Sequence, residues 1–334
     1  MPVNFNTVKV WYRNLLSRST HRSFQLTRRR DYVRQLTLPG YISFTHYVNK
    51  TIWTNRSMFL GLAAIYIILF VILVGIGSQE TYKTLVSTLQ ETGSSITGGD
   101  VSKFGEAGVL FLSIATTGIT ETPTESQQIY AVLLGLLVWL TTVWLLRNRL
   151  AGHAVKLRDA LYNAGAPIIP LFLTVLVLAV QLIPVLLAFI AYSAASASGL
   201  LDSGVEAMLF WFGMLFLVVL SLFWATATFF AMIIVSLPGM KPMEALRSAG
   251  ELVMGRRVRI LLRWLWMLLV AIVVWACILI PIILLDVWLS SVWTSFDTVP
   301  LVPITLGILS TLSVIWISSY VYLLYRKVVD GSTK

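Results

Sequence analysis

Arginine is the residue with the clearest chemical potential in this sequence, because its planar guanidinium matches the geometry of phosphate oxygens. A polybasic run near the start of the chain contains Arg28, Arg29 and Arg30. A second cluster comprises Arg247, Arg256, Arg257, Arg259 and Arg263. Both clusters are candidates for contact with the head groups of anionic lipids. For the second cluster we favour a role in holding its loop on one side of the membrane, and the first could instead meet a protein or nucleic acid.

Polar side chains inside long apolar stretches form a second candidate set. Gln181 lies in one such stretch, and Ser221, Thr226 and Thr228 lie in the next. These groups could line a path for a substrate, or they could hydrogen-bond to a neighbouring helix. We favour the hydrogen-bonding role.

Catalytic chemistry has little support in the sequence. The middle of every long apolar stretch lacks Asp, Glu, Lys, Arg and His, which argues against proton relays, ion coupling and intramembrane proteolysis. The H-E-x-x-H, G-x-S-x-G and Walker-type motifs do not occur. The single cysteine, Cys277, and the scattered His21, His46 and His153 offer no metal-ligand spacing. We therefore predict no catalytic residue, no metal and no cofactor, and a protein that is not an enzyme.

The composition places these residues in a membrane. The chain is 57% hydrophobic and only 12% charged, with a mean hydropathy of +0.82, whereas about a quarter of the residues in soluble domains are charged. About 20 apolar helical residues cross a hydrocarbon core of about 30 Å. The predicted fold is all-α: a polytopic transmembrane helical bundle. Its six spans are predicted at 58–78, 130–146, 168–191, 207–237, 260–285 and 302–325.

The basic residues predict the orientation. All 25 lysines and arginines except Lys83 and Lys103 fall in segments that share one face of the membrane. Because short cytoplasmic segments are rich in Lys and Arg, we predict a multi-pass protein of the plasma (inner) membrane with both termini cytoplasmic. Residues 1–57 then form a basic cytoplasmic head, and residues 326–334 form a cytoplasmic tail.

Two further segments differ from plain spans and loops. Tyr41, Phe44, Val48 and Ile52 fall on one helical stripe, which predicts an amphipathic, interfacial N-terminal helix. Residues 104–120 contain too few consecutive apolar residues for a crossing, and we predict a re-entrant or interfacial element there.

The two basic loops between spans resemble each other. Residues 150–160 and residues 237–249 each contain a Leu-x-Gly triplet followed by Leu-Arg-x-Ala. The glycine allows a turn just past a helix end. Spans 2–3 and 4–5 are therefore candidates for a parallel repeat, with chance as the alternative.

The second loop also resembles a known family. Residues 245–257 resemble a signature of six-span bacterial membrane proteins that include the membrane domain fused to some glycerophosphodiester phosphodiesterases. The matching positions are Ala245, Leu246, Arg247, Leu252, Gly255 and Arg256. Ala249 and Gly250 stand where the pattern has serine and an aromatic residue. The resemblance implies a six-span fold and a membrane location. It implies no catalysis, since the soluble phosphodiesterase domain has no counterpart in this sequence.

Three function classes fit to different degrees. The favoured class is a non-catalytic scaffold, assembly factor or lipid-organising protein. The alternative is a transporter or channel for an apolar or lipidic substrate, and a lipid-active enzyme comes third. The expected partners are membrane lipids with anionic head groups, and a membrane protein is a further possible partner. No nucleic acid is expected.

Overall fold

The structure is a computed structural model that describes residues 38–75, 125–197, 204–292 and 301–330. The described residues form nine helices and no strand. These are α1 (Tyr41–Thr54), α2 (Arg56–Leu73), α3 (Glu125–Leu150), α4 (Leu157–Ala164), α5 (Ile168–Ala197), α6 (Gly204–Ile234), α7 (Pro242–Val253), α8 (Arg257–Val292) and α9 (Leu301–Asp330). The predicted element at 104–120, the polybasic run at 28–30 and the last four residues lie outside the described ranges.

Six helices, α2, α3, α5, α6, α8 and α9, are long and apolar enough to cross a membrane. The predicted all-α, multi-pass bundle is thereby confirmed. Several helices extend beyond their predicted spans: α3 begins at Glu125, and α8 is 36 residues long. Hydropathy marks only the part of a helix that suits hydrocarbon, whereas the polar ends remain helical wherever water or head groups can meet their side chains.

The six long helices form an inner and an outer set. In the inner helices, the most apolar stretch is 56% buried in α3, 50% in α6 and 39% in α9. The corresponding values for the outer helices are 22% in α2, 11% in α5 and 6% in α8. The core is therefore built from α3, α6 and α9, and the outer helices present apolar side chains outward, as lipid-facing helices do.

The order of elements repeats three times. Each unit consists of a short helix, an outer long helix and an inner long helix: α1-α2-α3, then α4-α5-α6, then α7-α8-α9. Each short helix buries side chains spaced four residues apart against the bundle. These are Phe44 and Val48 in α1, Ala160 and Ala164 in α4, and Ala245, Ala249 and Val253 in α7. The sequence similarity between the two basic loops thus coincides with equivalent short helices and with a third, unrecognised unit at the N-terminus.

The short helices α4 and α7 begin with local signals. In α4, the Asp159 carboxylate accepts the backbone N–H of Lys156 at 3.2 Å and places a negative charge in the first turn. In α7, Pro242 occupies the first turn, where its missing N–H costs nothing. Both helices follow a glycine in the left-handed region, Gly152 at φ 86° and Gly239 at φ 78°.

One end of the bundle collects the basic residues. An Nη1–H of Arg147 at the end of α3 donates to the Ser236 carbonyl just after α6. The rings of Phe230 in α6 and Tyr325 in α9 lie 6.1 Å apart. The C-terminal ends of α3, α6 and α9 therefore meet, and we call this the basic end. Every lysine and arginine among the described residues lies in a short helix, in a loop beside one, or near an end of a long helix that adjoins the basic end.

Candidate functional site at the basic end

The arginines predicted to meet lipid head groups occupy three environments. Arg247 and Arg259 are exposed, and Arg247 forms an ion pair with Glu251 at 3.7 Å. The pair joins residues four apart on α7, and both side chains are largely in solvent, so it contributes little to stability. These two guanidinium groups remain accessible to anions.

Arg257 is half-buried, and its guanidinium lies 4.2 Å from the centre of the Phe223 ring on α6. Such a contact stabilises a cation on an aromatic face. Its neighbour Arg256 is buried, with 4% of its surface exposed. The sequence of the loop therefore did not show which of its arginines are exposed and which pack against other side chains.

Arg263 is also buried, with 5% of its surface exposed, and it holds α1 against the bundle. Its Nη2–H donates to the carbonyl of Pro39, just before α1. Its guanidinium lies 4.6 Å from the Tyr41 ring and 5.5 Å from the Phe44 ring. The Arg263 guanidinium is thus packed between the Pro39 carbonyl and two aromatic rings of α1, and its predicted contact with a lipid head group stays a prediction.

Two indole groups continue this contact along α1. Trp266 of α8 donates through Nε1–H to the Thr45 hydroxyl at 3.1 Å, and Trp316 of α9 donates to Asn49 Oδ1 at 2.8 Å. Phe44 and Val48, the middle of the predicted amphipathic stripe, are fully buried. The stripe therefore faces other helices of the protein.

The predicted polar set on α5 and α6 is brought together in part. The Thr228 hydroxyl donates to Gln181 Oε1 at 2.6 Å, and the Ser221 hydroxyl donates to the Gln181 backbone carbonyl. Thr226 differs, because its hydroxyl donates to Leu222 of its own helix at 2.6 Å. Ser221, Thr226 and Thr228 are all buried. Gln181 thus links α5 to α6 through two residues two helical turns apart.

Pro184 lies three residues after Gln181 in the same helix. Proline has no N–H, so the Val180 carbonyl, four residues before it, loses its helical donor. In a membrane, hydroxyl groups of neighbouring helices can satisfy backbone groups near a proline. The Ser221 hydroxyl donates to the next carbonyl, that of Gln181.

A cleft of 360 Å³ opens at the basic end, and the sequence did not reveal it. It lies among the last turns of α3, the end of α4, the start of α5 and the turn after α6. The lining includes Leu140, Trp144, Arg147, Asn163, Pro167 and Ser236. Among the described residues that line it, Arg147 is the one charged side chain. The available signal was Arg147 itself, which ends the second apolar stretch directly before a Leu-x-Gly loop.

The polar groups of the cleft are only partly used. The guanidinium of Arg147 carries five N–H donors, and one of them reaches the Ser236 carbonyl at 3.5 Å. Asn163 donates one Nδ2–H to the Asp159 carbonyl at 2.8 Å, and its amide carries a second N–H. The N–H donors of Arg147 and Asn163 can bind an oxyanion.

Among the described residues there is no group of three or more His, Cys, Asp or Glu side chains that could hold a metal ion. Comparison with models of known protein families, with curated proteins and with solved structures finds no significant match for this chain. The resemblance of residues 245–257 to the six-span family stays a prediction. The structure does give parts of that pattern a physical role, since Ala245 is fully buried on α7 and Gly255 has a φ of 76°.

Proposed function

We propose that this chain is an integral protein of the plasma (inner) membrane that acts as a non-catalytic scaffold, assembly or lipid-organising component. In this proposal both termini and the basic end face the cytoplasm, where anionic lipids attract arginine. A membrane protein could occupy part of the exposed outer helices as a second partner.

The packing around Gln181 is the observation that carries the proposal. A transport path needs polar groups that are open to water or substrate. Here the Thr228 and Ser221 hydroxyls both bond to Gln181, and all three hydroxyls of the predicted set are buried. None of these residues lines the 360 Å³ cleft. Polar groups committed to joining helices support a structural role for the bundle.

Lipid enrichment tests the proposal. The protein is reconstituted into vesicles of phosphatidylcholine with a minority of labelled phosphatidylglycerol, and energy transfer from its tryptophans reports which lipid surrounds it. We expect phosphatidylglycerol to be enriched over labelled phosphatidylcholine, and the enrichment to weaken as salt rises. In the Arg247→Gln/Arg259→Gln double variant, the free energy that favours phosphatidylglycerol around the protein should weaken by roughly 1 kcal/mol per arginine.

Glu206→Gln is the matched control, because it changes one charge at the opposite end of α6 and should leave the enrichment of the anionic lipid unchanged. If the two lipids surrounded the unmodified protein in the same proportion as in the bulk bilayer, a lipid-organising role would be contradicted.

The alternative is a transporter or channel for an apolar or lipidic substrate. It is favoured by the threefold repetition of elements and by prolines inside two outer helices, Pro184 in α5 and Pro281 in α8, since transporters often use repeats and interrupted helices. Reconstituted vesicles loaded with a fluorescent phospholipid distinguish the two functions. Movement of that lipid between leaflets faster than in protein-free vesicles would favour transport over the scaffold.

A further inference from the structure

We propose that the cleft at the basic end is a specific site for the phosphate head group of one anionic glycerophospholipid molecule. This inference rests on the proposed lipid-organising function and goes beyond it, because it assigns a single enclosed site in place of a general attraction to exposed arginines. Its volume of 360 Å³ falls within the range of small-molecule sites, about 300–1,000 Å³.

The charge of the cleft suits a phosphate. Arg147 contributes a guanidinium that has one long hydrogen bond within the described chain, at 3.5 Å, so most of its donors can turn toward a ligand. No carboxylate occurs among the described residues that line the cleft. The first turn of α5, a helix of 30 residues, forms part of the wall, and the positive end of its dipole favours an anion there.

The apolar part of the lining argues for a lipid over a free phosphate ion. Trp144, Leu237 and Met240 line the cleft and are only half-buried, so they keep apolar surface that a ligand can cover. A free phosphate would leave this surface covered by water. A glycerophospholipid would place its phosphate at Arg147 and its glycerol and upper acyl carbons against these side chains, and burying that apolar area stabilises the complex.

The walls of the cleft are held in place before any ligand arrives. Pro167 at the entry of α5 and Pro238 in the turn after α6 both line it, and each fixes its backbone φ. Gly239 follows in the left-handed region. A site with preset walls loses little conformational entropy on binding.

The experiment counts the lipid that stays bound. The full-length protein is purified in a mild detergent, mixed with phosphatidylglycerol and analysed by native mass spectrometry, with phosphatidylcholine and inorganic phosphate as separate probes. We expect one tightly bound phosphatidylglycerol per chain, weaker phosphatidylcholine binding, and no displacement by millimolar inorganic phosphate. The Arg147→Gln variant should bind phosphatidylglycerol about tenfold more weakly, since it loses a charge-assisted hydrogen bond.

Two further variants separate the cleft from general charge and from misfolding. Arg158→Gln removes the same charge from an exposed position in the neighbouring α4 and should keep the bound lipid. Ala166→Trp leaves every charge in place and blocks the cleft at an exposed lining residue, so it should also lose the lipid.

Three outcomes overturn the site: equal loss in Arg158→Gln and Arg147→Gln, retention of the lipid in Ala166→Trp, or displacement by inorganic phosphate. The last outcome would assign the site to soluble phosphate compounds. The lipid count and the leaflet-transfer measurement are independent. If the protein moved lipids between leaflets, the scaffold function would be refuted, but the bound lipid could still be counted. If no lipid bound in the cleft but the protein still enriched phosphatidylglycerol around it, only the specific site would be refuted.

Discussion

The link between Gln181 and Thr228 gives the sharpest prediction for single residues. Thr228→Val keeps the side-chain shape but leaves the Gln181 amide oxygen without its 2.6 Å donor. We expect the bundle to lose about 1 kcal/mol of unfolding free energy, the typical range for hydrogen bonds between membrane helices. The measurement is denaturant-induced unfolding in mixed micelles, followed by tryptophan fluorescence.

Thr226→Val is the control for this prediction. The Thr226 hydroxyl is equally buried but bonds to Leu222 in its own helix, whose carbonyl already has a helical partner. Its removal should change the unfolding free energy by only a few tenths of a kcal/mol. Equal costs for the two variants would mean that the bond between α5 and α6 contributes nothing of its own.

The sequence identified the polar residues that could join α5 and α6, but it did not identify their hydrogen-bond partners. The spacing of Ser221 and Thr228 puts them on one face of α6, and Gln181 stands out as the amide in an apolar stretch. Which of the hydroxyls meets it depends on the relative height of two helices, and hydropathy does not encode that height. Likewise, nothing in the local sequence separates buried Arg263 from exposed Arg259, because burial follows from where α1 docks.

At the scale of elements, the turns before the short helices depend on backbone conformation. Gly239 has a φ of 78°, and a Cβ there would meet no atom within 4 Å. The Gly239→Ala variant should therefore lose about 1 kcal/mol from backbone strain alone, with no steric clash to relieve. Thermal unfolding in detergent measures the change.

Gly250 provides the opposite case on the next element. It lies inside α7, and a Cβ there would also meet open space. Gly250→Ala should raise the unfolding free energy by up to about 1 kcal/mol, because alanine favours a helix over glycine. If Gly239→Ala raised the unfolding free energy as Gly250→Ala does, a side chain would cause no strain in the turn at Gly239.

The docking of α1 depends on Arg263. Lysine cannot reproduce the planar contact with Tyr41 and Phe44 together with the bond to the Pro39 carbonyl. In Arg263→Lys we expect amide hydrogen exchange across α1 to accelerate about tenfold, as a local opening that has lost a charge-assisted bond. Arg259→Lys, at an exposed position one turn away on α8, should leave the exchange unchanged.

At the scale of the whole molecule, the sequence predicted the number of long helices, but their hydropathy did not predict which of them are inner and which are outer. All six are apolar enough to span a membrane, yet the most apolar, α8, is the least buried, and α9, the least apolar, belongs to the inner set. In lipid the exposed surface carries the most apolar side chains, so burial does not follow hydropathy as it does in water. The inner helices also carry buried hydroxyl groups, a signal that was readable in the sequence.

The orientation of the whole bundle can be tested with one matched pair of cysteines, after Cys277 has been replaced. Met243 on α7 and Val205 on α6 are each 75% exposed, and they lie at opposite ends of the protein. Because the Lys- and Arg-rich end should stay in the cytoplasm, a membrane-impermeant thiol reagent applied to intact cells should label Val205→Cys and leave Met243→Cys unmodified. Permeabilised cells should show both labelled, since equal exposure gives both thiols similar access. Labelling of Met243→Cys alone in intact cells would show that the molecule has the opposite orientation. The cleft at the basic end would then lie on the outer face, where the anionic lipids of the cytoplasmic leaflet could not reach it.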